Sequence, residues 1–308
     1  MKTASAPAKA IILGEHTALY GNQVIAAAIN LRSRVTVAKK MLGKGISINA
    51  PWASESDSPI MRIRRGTEMI NKAVETAGGG NFDIKIESQI PIAAGLGSSA
   101  SIASALVMAL GAENGKEWGL ADVARAAWKC EDAVHGKSSG VDPYAVTFGG
   151  ITCYQNGKVV NLVLKGIPRL VIAESSMKHD TWDIVKDLEG LRRIGGVRFE
   201  NFVKNSESIV NEGKDAIERG DWENLGKLMD QNHELLKIMG VSNDELDEMV
   251  DSARAAGAYG AKLSGAGCGG VIIALVNEET QGNVIKALSG MSKKIIEADI
   301  SKDGVRLG

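Results

Sequence analysis

Aromatic side chains and cysteines are both scarce in this sequence of 308 residues. Five Trp, four Tyr and four Phe amount to only 4% of the chain. The three cysteines, Cys130, Cys153 and Cys268, are scattered and odd in number, so they fit neither a disulfide framework nor the spacing of a zinc finger. No run of eighteen apolar residues occurs, so the sequence also lacks a candidate membrane helix. These features are typical of a soluble protein from a reducing compartment.

Neither sign of charge is in excess. The chain has 36 Lys and Arg against 37 Asp and Glu, for a net charge of −1. This balance argues against a protein built mainly to hold nucleic acid or an anionic membrane surface. The apolar patch at residues 10–13 is interrupted by Gly14-Glu15-His16 and is too short for a signal peptide. We therefore expect a cytoplasmic protein.

Length and periodicity predict two domains of mixed structure. At about 150 residues per domain, the chain is long enough for two. Helical spacing is clear before a Gly and Pro hinge near residue 165, and three long helices and a bare apolar strand follow the hinge. Because strands and helices mix without regular alternation, we expect an α+β fold with domains at 1–165 and 166–308.

Glycine, by contrast, is plentiful, with 36 residues. Gly95-Leu96-Gly97 precedes a predicted helix that starts at Ser98 or Ser99. Glycines let the backbone approach a ligand closely, and a helix N-terminus offers unpaired N–H groups, so this loop predicts a phosphate site. It lacks the Gly-Lys-Ser/Thr of a Walker A loop. A plain glycine turn with a serine cap is the alternative.

A second stretch, from Lys262 to Gly270, has four glycines within six positions. Close packing of two backbones would also demand glycine, but we expect a second loop that faces the same ligand.

Charged residues flank a short apolar run near the N-terminus. Lys9 precedes residues 10–13, and Glu15 and His16 follow them, so a short strand with charges at both ends is predicted. Further along, Asp142 lies between Gly140 and Pro143, where we expect a loop. An ordinary Asp turn before proline is the alternative to a functional carboxylate there.

Glu131 lies on the apolar stripe of a helix predicted at residues 120–135. It follows Ala127 by four residues and Trp128 by three. An isolated buried charge is very costly, so this carboxylate must be paired or bind a cation. A structural salt bridge and a Mg²⁺ site completed by hydroxyl and phosphate oxygens are the two alternatives.

The four histidines lack the spacing of zinc ligands with the cysteines. We expect His135 near the C-terminus of its helix and His233 on a helix surface.

Three of these motifs, taken in order, resemble the signatures of the GHMP kinase superfamily, which includes galactokinase, homoserine kinase, mevalonate kinase and phosphomevalonate kinase. They span nearly the whole chain: Pro7-Ala8-Lys9 with Gly14-Glu15-His16, then Pro91 to Ala100, then Lys262 to Gly270. Three further segments are most similar to mevalonate kinase in its compact archaeal or bacterial form: Gly14 to Gly21, Ser139 to Asp142, and Asn232-His233-Glu234-Leu235-Leu236. The resemblance implies an active-site cleft between two domains.

The resemblance also implies roles for single positions. It makes Asp142 the catalytic aspartate, Lys9 its paired lysine, and Ser99 and Glu131 the ligands of Mg²⁺. The positions that it assigns to ATP are Pro91, Gly95, Leu96, Gly97, Ser98, Ser99 and Ala100. The positions that it assigns to the substrate are Glu15, His16, Thr181, Gly265 and Ala266.

The resemblance implies ATP-dependent phosphorylation of a small alcohol. The favoured substrate is mevalonate, an intermediate of the isoprenoid pathway. The sequence departs from the usual mevalonate kinase pattern at Thr17-Ala18-Leu19, at Pro143, at His179 to Trp182 and at Cys268. Phosphomevalonate, galactose and homoserine therefore stay as alternative substrates.

A protein of another class, a non-catalytic sensor of ATP or a metabolite, is a second alternative. Such a sensor should have lost Lys9, Glu131 or Asp142, and all three are present. The sequence leaves the oligomeric state open, a homodimer being one alternative.

Overall fold

A computed structural model describes residues 1–50, 59–91, 94–136, 138–166, 168–177 and 196–308, without the side chains of 59–63 and 135. It confirms the expected mixture of helices and strands. The helices are α1 (Pro59–Ala77), α2 (Ser98–Glu113), α3 (Leu120–His135), α4 (Val141–Phe148), α5 (Val197–Arg219), α6 (Trp222–Ile238), α7 (Asp244–Ala255) and α8 (Gln281–Leu288). The strands are β1 (Lys2–Leu13), β2 (Val24–Lys39), β3 (Ile46–Asn49), β4 (Phe82–Ser88), β5 (Ile151–Gln155), β6 (Lys158–Asn161), β7 (Arg169–Glu174), β8 (Gly260–Ser264), β9 (Val271–Val276), β10 (Lys294–Asp299) and β11 (Arg306–Leu307).

The strands of the described ranges form two sheets. The first has the order β11-β1-β2-β4-β3, and β5 joins it by pairing with β2 and β6. The second has the order β10-β7-β9-β8, and its pairs are antiparallel. Asn156 and Gly157 form the hairpin turn between β5 and β6, with φ of 47° and 77°. Positive φ at both central residues is the requirement of a type I′ turn.

Strand β1 is longer than the sequence predicted. It begins at Lys2, so Lys9 lies inside the strand, and the expectation that Lys9 stands just before it is wrong. The segment alternates alanines with Ser5, Pro7 and Lys9, and Ala4, Ala6, Ala8 and Ala10 are fully buried. Because alanine is a poor strand former, the pattern concealed a strand that tertiary burial stabilises.

Small side chains let the helices approach the first sheet closely. Helix α2 lies against β1 and β2 and is buried on nearly all sides, as expected for a helix that is apolar all round. Its Ser101 donates a hydrogen bond of 2.8 Å to the Ala6 carbonyl. The helix is therefore fixed against the strand that carries Lys9.

A hydrophobic core joins the two sheets. Leu13 and Ile25 of the first sheet pack in the same cluster as Ile172 and Ile273 of the second, together with Val210 of α5. The expected boundary near residue 165 falls between β6 and β7. Residues beyond β10 return to the first sheet, where β11 pairs with β1. The division into 1–165 and 166–308 stays a prediction.

Among the described residues, no helix combines the length and apolarity that a bilayer crossing requires.

His233 is buried, contrary to the surface position that we expected. Its exposed fraction is 1%, and it lies on the buried side of α6, four residues after Met229. The Leu263 N–H donates to Nδ1 over 3.4 Å, and Nε2 lies 3.1 Å from Asp247 Oδ1. Burial lowers the pKa of His233 to about 4, although the charge of Asp247 opposes this. The ring is therefore neutral at pH 7.

The first prediction concerns the contact between α6 and β8. A Cβ at Gly226 would overlap the Tyr259 carbonyl, whereas a Cβ at Gly282 of α8 would enter open space. We expect Gly226→Ala to lower the free energy of unfolding by at least about 2 kcal/mol, because two backbones must separate. The matched Gly282→Ala should leave it unchanged or raise it by about 0.4–1 kcal/mol. Urea unfolding of both variants checks this, and equal values would contradict it.

The second prediction concerns pH. An unfolded histidine titrates near pH 6.5, but buried His233 stays neutral down to about pH 4. Between these values the unfolded state binds the extra proton, so the free energy of unfolding falls as the pH falls. At about 1.4 kcal/mol per pKa unit, the loss from this group is on the order of 3 kcal/mol. In His233→Gln the free energy of unfolding should fall by that much less between pH 6.5 and pH 4 than in the wild type. Parallel curves of unfolding free energy against pH for the two proteins would contradict this contribution of His233.

Candidate active site

The first glycine loop is shaped around Lys9. Lys9 lies in the middle of β1 with 2% of its surface exposed, and its backbone N–H donates to the Leu96 carbonyl over 3.0 Å. Gly97 has a φ of 70°, and a Cβ there would lie 2.8 Å from Cγ of Lys9. Glycine at 97 is therefore required twice, for the left-handed backbone and for the room that the lysine stem occupies.

Lys9 and Asp142 form an ion pair at this loop. The distance from Nζ to Asp142 Oδ1 is 3.0 Å, and the lysine side chain is buried while the aspartate side chain is 32% exposed. Asp142 was expected in a loop, but it lies in the first turn of α4, so that expectation is wrong. A proline is tolerated in the first turn of a helix, and the helix dipole favours a carboxylate there. The lysine is thus fixed, and the carboxylate faces outward.

Ser99 and Glu131 meet at the start of α2. The helix begins at Ser98, as predicted, and Ser99 Oγ donates to Glu131 Oε1 over 2.5 Å. Glu131 is only 7% exposed, which confirms its place on the buried stripe of α3. Burial raises its pKa to about 7, and the negative charge of Asp142 adds to the rise, while the hydrogen bond from Ser99 opposes it. A cation at this carboxylate would offset the cost of its burial.

These two groups fit Mg²⁺. A carboxylate and a hydroxyl are hard oxygen donors, and Mg²⁺ in kinases uses one or two carboxylates and completes its shell with water and phosphate oxygens. No cluster of three or more His, Cys, Asp or Glu suited to a metal exists within the described ranges. The site therefore suits an ion that arrives with a phosphate ligand rather than one held by protein alone.

The second glycine loop packs directly against the first. Cβ on Gly95 would lie 3.1 Å from the Ser264 carbonyl, and Cβ on Gly265 would lie 3.3 Å from Cα of Gly95. Close backbone packing, which we weighed as an alternative, therefore does occur. It also brings the loop to the site, since Nε2 of His16 lies 2.9 Å from the Ala266 carbonyl.

His16 is neutral in this arrangement. Burial lowers its pKa to about 4, against the effect of its bond to the Ala266 carbonyl. Since a carbonyl only accepts, Nε2 carries the hydrogen and donates it. His16 itself has a positive φ of 68°, which is uncommon outside glycine and is stabilised here by contact with the second loop.

The remaining assigned positions divide into three groups. Glu15 is fully enclosed and pairs with Lys262. Pro91, Leu96, Ser98 and Ala100 lie along the first glycine loop and the first turn of α2. Thr181, with the run from His179 to Trp182, lies outside the described residues.

The sequence analysis did not predict that the charged side chain of Lys262 lies buried beside this site. Lys262 is 0% exposed, and every residue of β8 is buried. The available signal was its position directly ahead of the second glycine loop, although β8 itself is an edge strand of the second sheet.

Comparison with known proteins agrees with this geometry. The family model described as the GHMP kinases N terminal domain matches residues 63–150, and the one described as GHMP kinases C terminal matches residues 214–294. A mevalonate kinase of Thermococcus gammatolerans is 34% identical, with 99% of this chain and 97% of that protein aligned. A mevalonate kinase of Methanothermobacter thermautotrophicus is 36% identical, with 88% and 89% aligned.

A solved structure leads to the same family. The crystal structure of L. major mevalonate kinase in complex with R-mevalonate superimposes with a TM-score of 0.85 at 26% identity, covering 99% of this chain and 97% of that one. The chain therefore belongs to the GHMP kinase family, and its nearly full-length relatives place it among the mevalonate kinases of that family.

Proposed function

We propose that this protein transfers the terminal phosphoryl group of ATP to the 5-hydroxyl of mevalonate. The observation that carries the proposal is the 3.0 Å ion pair of Lys9 and Asp142 at the N-terminal end of α2, in which the lysine is buried and the aspartate is partly exposed. The buried ammonium group supplies fixed positive charge, and the partly exposed carboxylate can accept a hydrogen bond from an alcohol. The L. major relative, solved with R-mevalonate, supports mevalonate as that alcohol.

Phosphoryl transfer needs mainly positioning and neutralisation of charge. Asp142 orients the hydroxyl and accepts its proton, and Lys9 stabilises the negative charge that develops on the oxygen. Lys9 is suited to this role because its stem is enclosed by Gly97 and its backbone is bonded to Leu96. Little reorganisation is then required at the moment of reaction.

The N-terminal end of α2 binds the phosphates of ATP. Gly95, Gly97 and the first turn at Ser98 present backbone N–H groups and the positive end of the helix dipole. Ser99 and Glu131 would hold Mg²⁺, which when bound neutralises phosphate charge. His16, Gly265 and Ala266 form the side of the site on which we place the alcohol.

The direct test is ADP release in the presence of ATP and one alcohol at a time. Mevalonate, phosphomevalonate, galactose and homoserine should be run in parallel at equal concentration. We expect turnover with mevalonate above the other three. Turnover with one of the other alcohols alone would contradict mevalonate as the substrate, while the kinase activity would be confirmed. No turnover with any of them would support the sensor alternative instead.

The third prediction is that Lys9 and Asp142 act as one unit. Asp142→Asn and Lys9→Met should each lower kcat by about 10²–10⁴-fold. The Kd for ATP should change far less, because the phosphates are held by the loop and the helix end. Residues that act together are non-additive, so the double variant should be little worse than the worse single variant. Two losses that simply multiply would refute the coupling.

The fourth prediction separates the two explanations of Glu131. An amide is a poorer ligand for a hard cation, so Glu131→Gln should raise the Mg²⁺ concentration for half-maximal rate by about tenfold or more. The matched control is Glu75→Gln on α1, whose carboxylate is 70% exposed, and which should leave the titration unchanged. If the Mg²⁺ titration of Glu131→Gln matches that of the control, Glu131 has a structural role.

A further inference from the structure

A buried ion pair joins the two sheets behind the candidate active site. Glu15 follows β1 of the first sheet, and Lys262 lies on β8 of the second. Both side chains are 0% exposed, and Nζ of Lys262 bonds to Glu15 Oε1. The same ammonium group donates to the Leu263 carbonyl over 2.7 Å. Removing two charges from water costs several kcal/mol per ion, so such a pair is weak evidence for a contribution to stability.

Helix α6 holds the backbone beside each member of the pair. Asn232 Oδ1 accepts from the Gly14 N–H over 3.0 Å, and His233 Nδ1 accepts from the Leu263 N–H over 3.4 Å. Gly14 precedes Glu15, and Leu263 follows Lys262. Asn232 and His233 are consecutive and almost fully buried. One turn of one helix therefore fixes both ends of the ion pair.

Strand β8 is also hydrogen-bonded to β1 close to Lys9. Ser264 Oγ receives a hydrogen bond from the Ile11 N–H over 2.9 Å and donates to the Ile11 carbonyl over 3.1 Å. Ile11 is two residues from Lys9, and Ser264 is two residues from Lys262. The hydroxyl of Ser264 therefore joins β8 to β1, and the ion pair joins β8 to the residue Glu15 that follows β1.

The charges of the pair reach the catalytic lysine. The positive charge of Lys9 lowers the pKa of both Glu15 and Lys262, although burial is the largest influence on each. Glu131 also feels the charge of Lys9, and Asp142 contacts it directly. Glu15 is therefore near enough to Lys9 for their charges to interact.

We propose that Glu15 and Lys262 are positioning residues, whose ion pair sets Lys9 and the second glycine loop in the arrangement that catalysis requires. The proposal rests on the proposed function. A pair of similar size without charge could hold the sheets together equally well. What the charged pair adds is an oriented contact at the residue before His16, which itself donates to Ala266 of the second loop.

The test compares stability with turnover. Glu15→Gln and Lys262→Met should each lower the Tm, because each leaves one buried charge without its partner. The double variant Glu15→Gln/Lys262→Met removes both charges, so its Tm should return to within a few degrees of wild type. Its kcat should nevertheless stay about 10- to 100-fold low, since small misplacement of reacting groups is costly. KM for ATP should change by less than about threefold.

The matched control is the exposed pair of the same residue types on β4. Lys85 and Glu87 lie 2.8 Å apart with side chains more than half exposed. Glu87→Gln/Lys85→Met should change neither Tm nor kcat. If the buried double variant regains wild-type kcat together with its Tm, the pair is structural and the proposal is wrong.

Failure of the proposed function gives a different result. A wild-type protein without turnover on any of the four alcohols contradicts that function. Wild-type turnover with full recovery in the buried double variant contradicts the positioning role alone. If another alcohol is the substrate, the same comparison is made with that alcohol.

Discussion

The buried ammonium group of Lys9 is the constraint on which the rest of this structure depends. A charge enclosed in protein is tolerated only when it is paired and hydrogen-bonded. Asp142 meets that need at 3.0 Å, so α4 must begin where it does. The loop ahead of α2 must also leave room for the lysine stem, which restricts position 97 to glycine. One charge on one strand therefore constrains both the first turn of α4 and the path of the loop ahead of α2.

Polar contacts, rather than apolar burial alone, set how the two sheets meet. The shared core brings them together, but apolar packing tolerates small shifts. The hydrogen bond from Ile11 to Ser264 of the second sheet and that from Gly14 to Asn232 of α6 have defined lengths and directions. The candidate active site needs the two sheets to be held in one fixed relative position, because its residues come from both of them. The glycines where the two loops touch let the backbones approach that closely.

Local pattern predicted much of this arrangement. Glu131 stood out because a helix places every third and fourth residue on one side, and a carboxylate on an apolar stripe is rare. The start of α2 was predicted since glycines followed by serines mark a helix N-terminus. Lys9 within β1, Asp142 within α4 and the burial of His233 were not predicted correctly. Each depends on a partner more than 25 residues away in the chain, such as Leu263 for His233.

The return of β11 to the first sheet has a consequence for how the protein is made. Strand β11 pairs with Ala4 and Ser5 of β1, and the Val305 N–H donates to the carbonyl of Thr147 at the end of α4. A ribosome makes these residues after every other strand and helix named above. Although N-terminal domains generally fold first during synthesis, the edge of β1 at Ala4 and Ser5 stays open until Arg306 and Leu307 have been made and can pair with it.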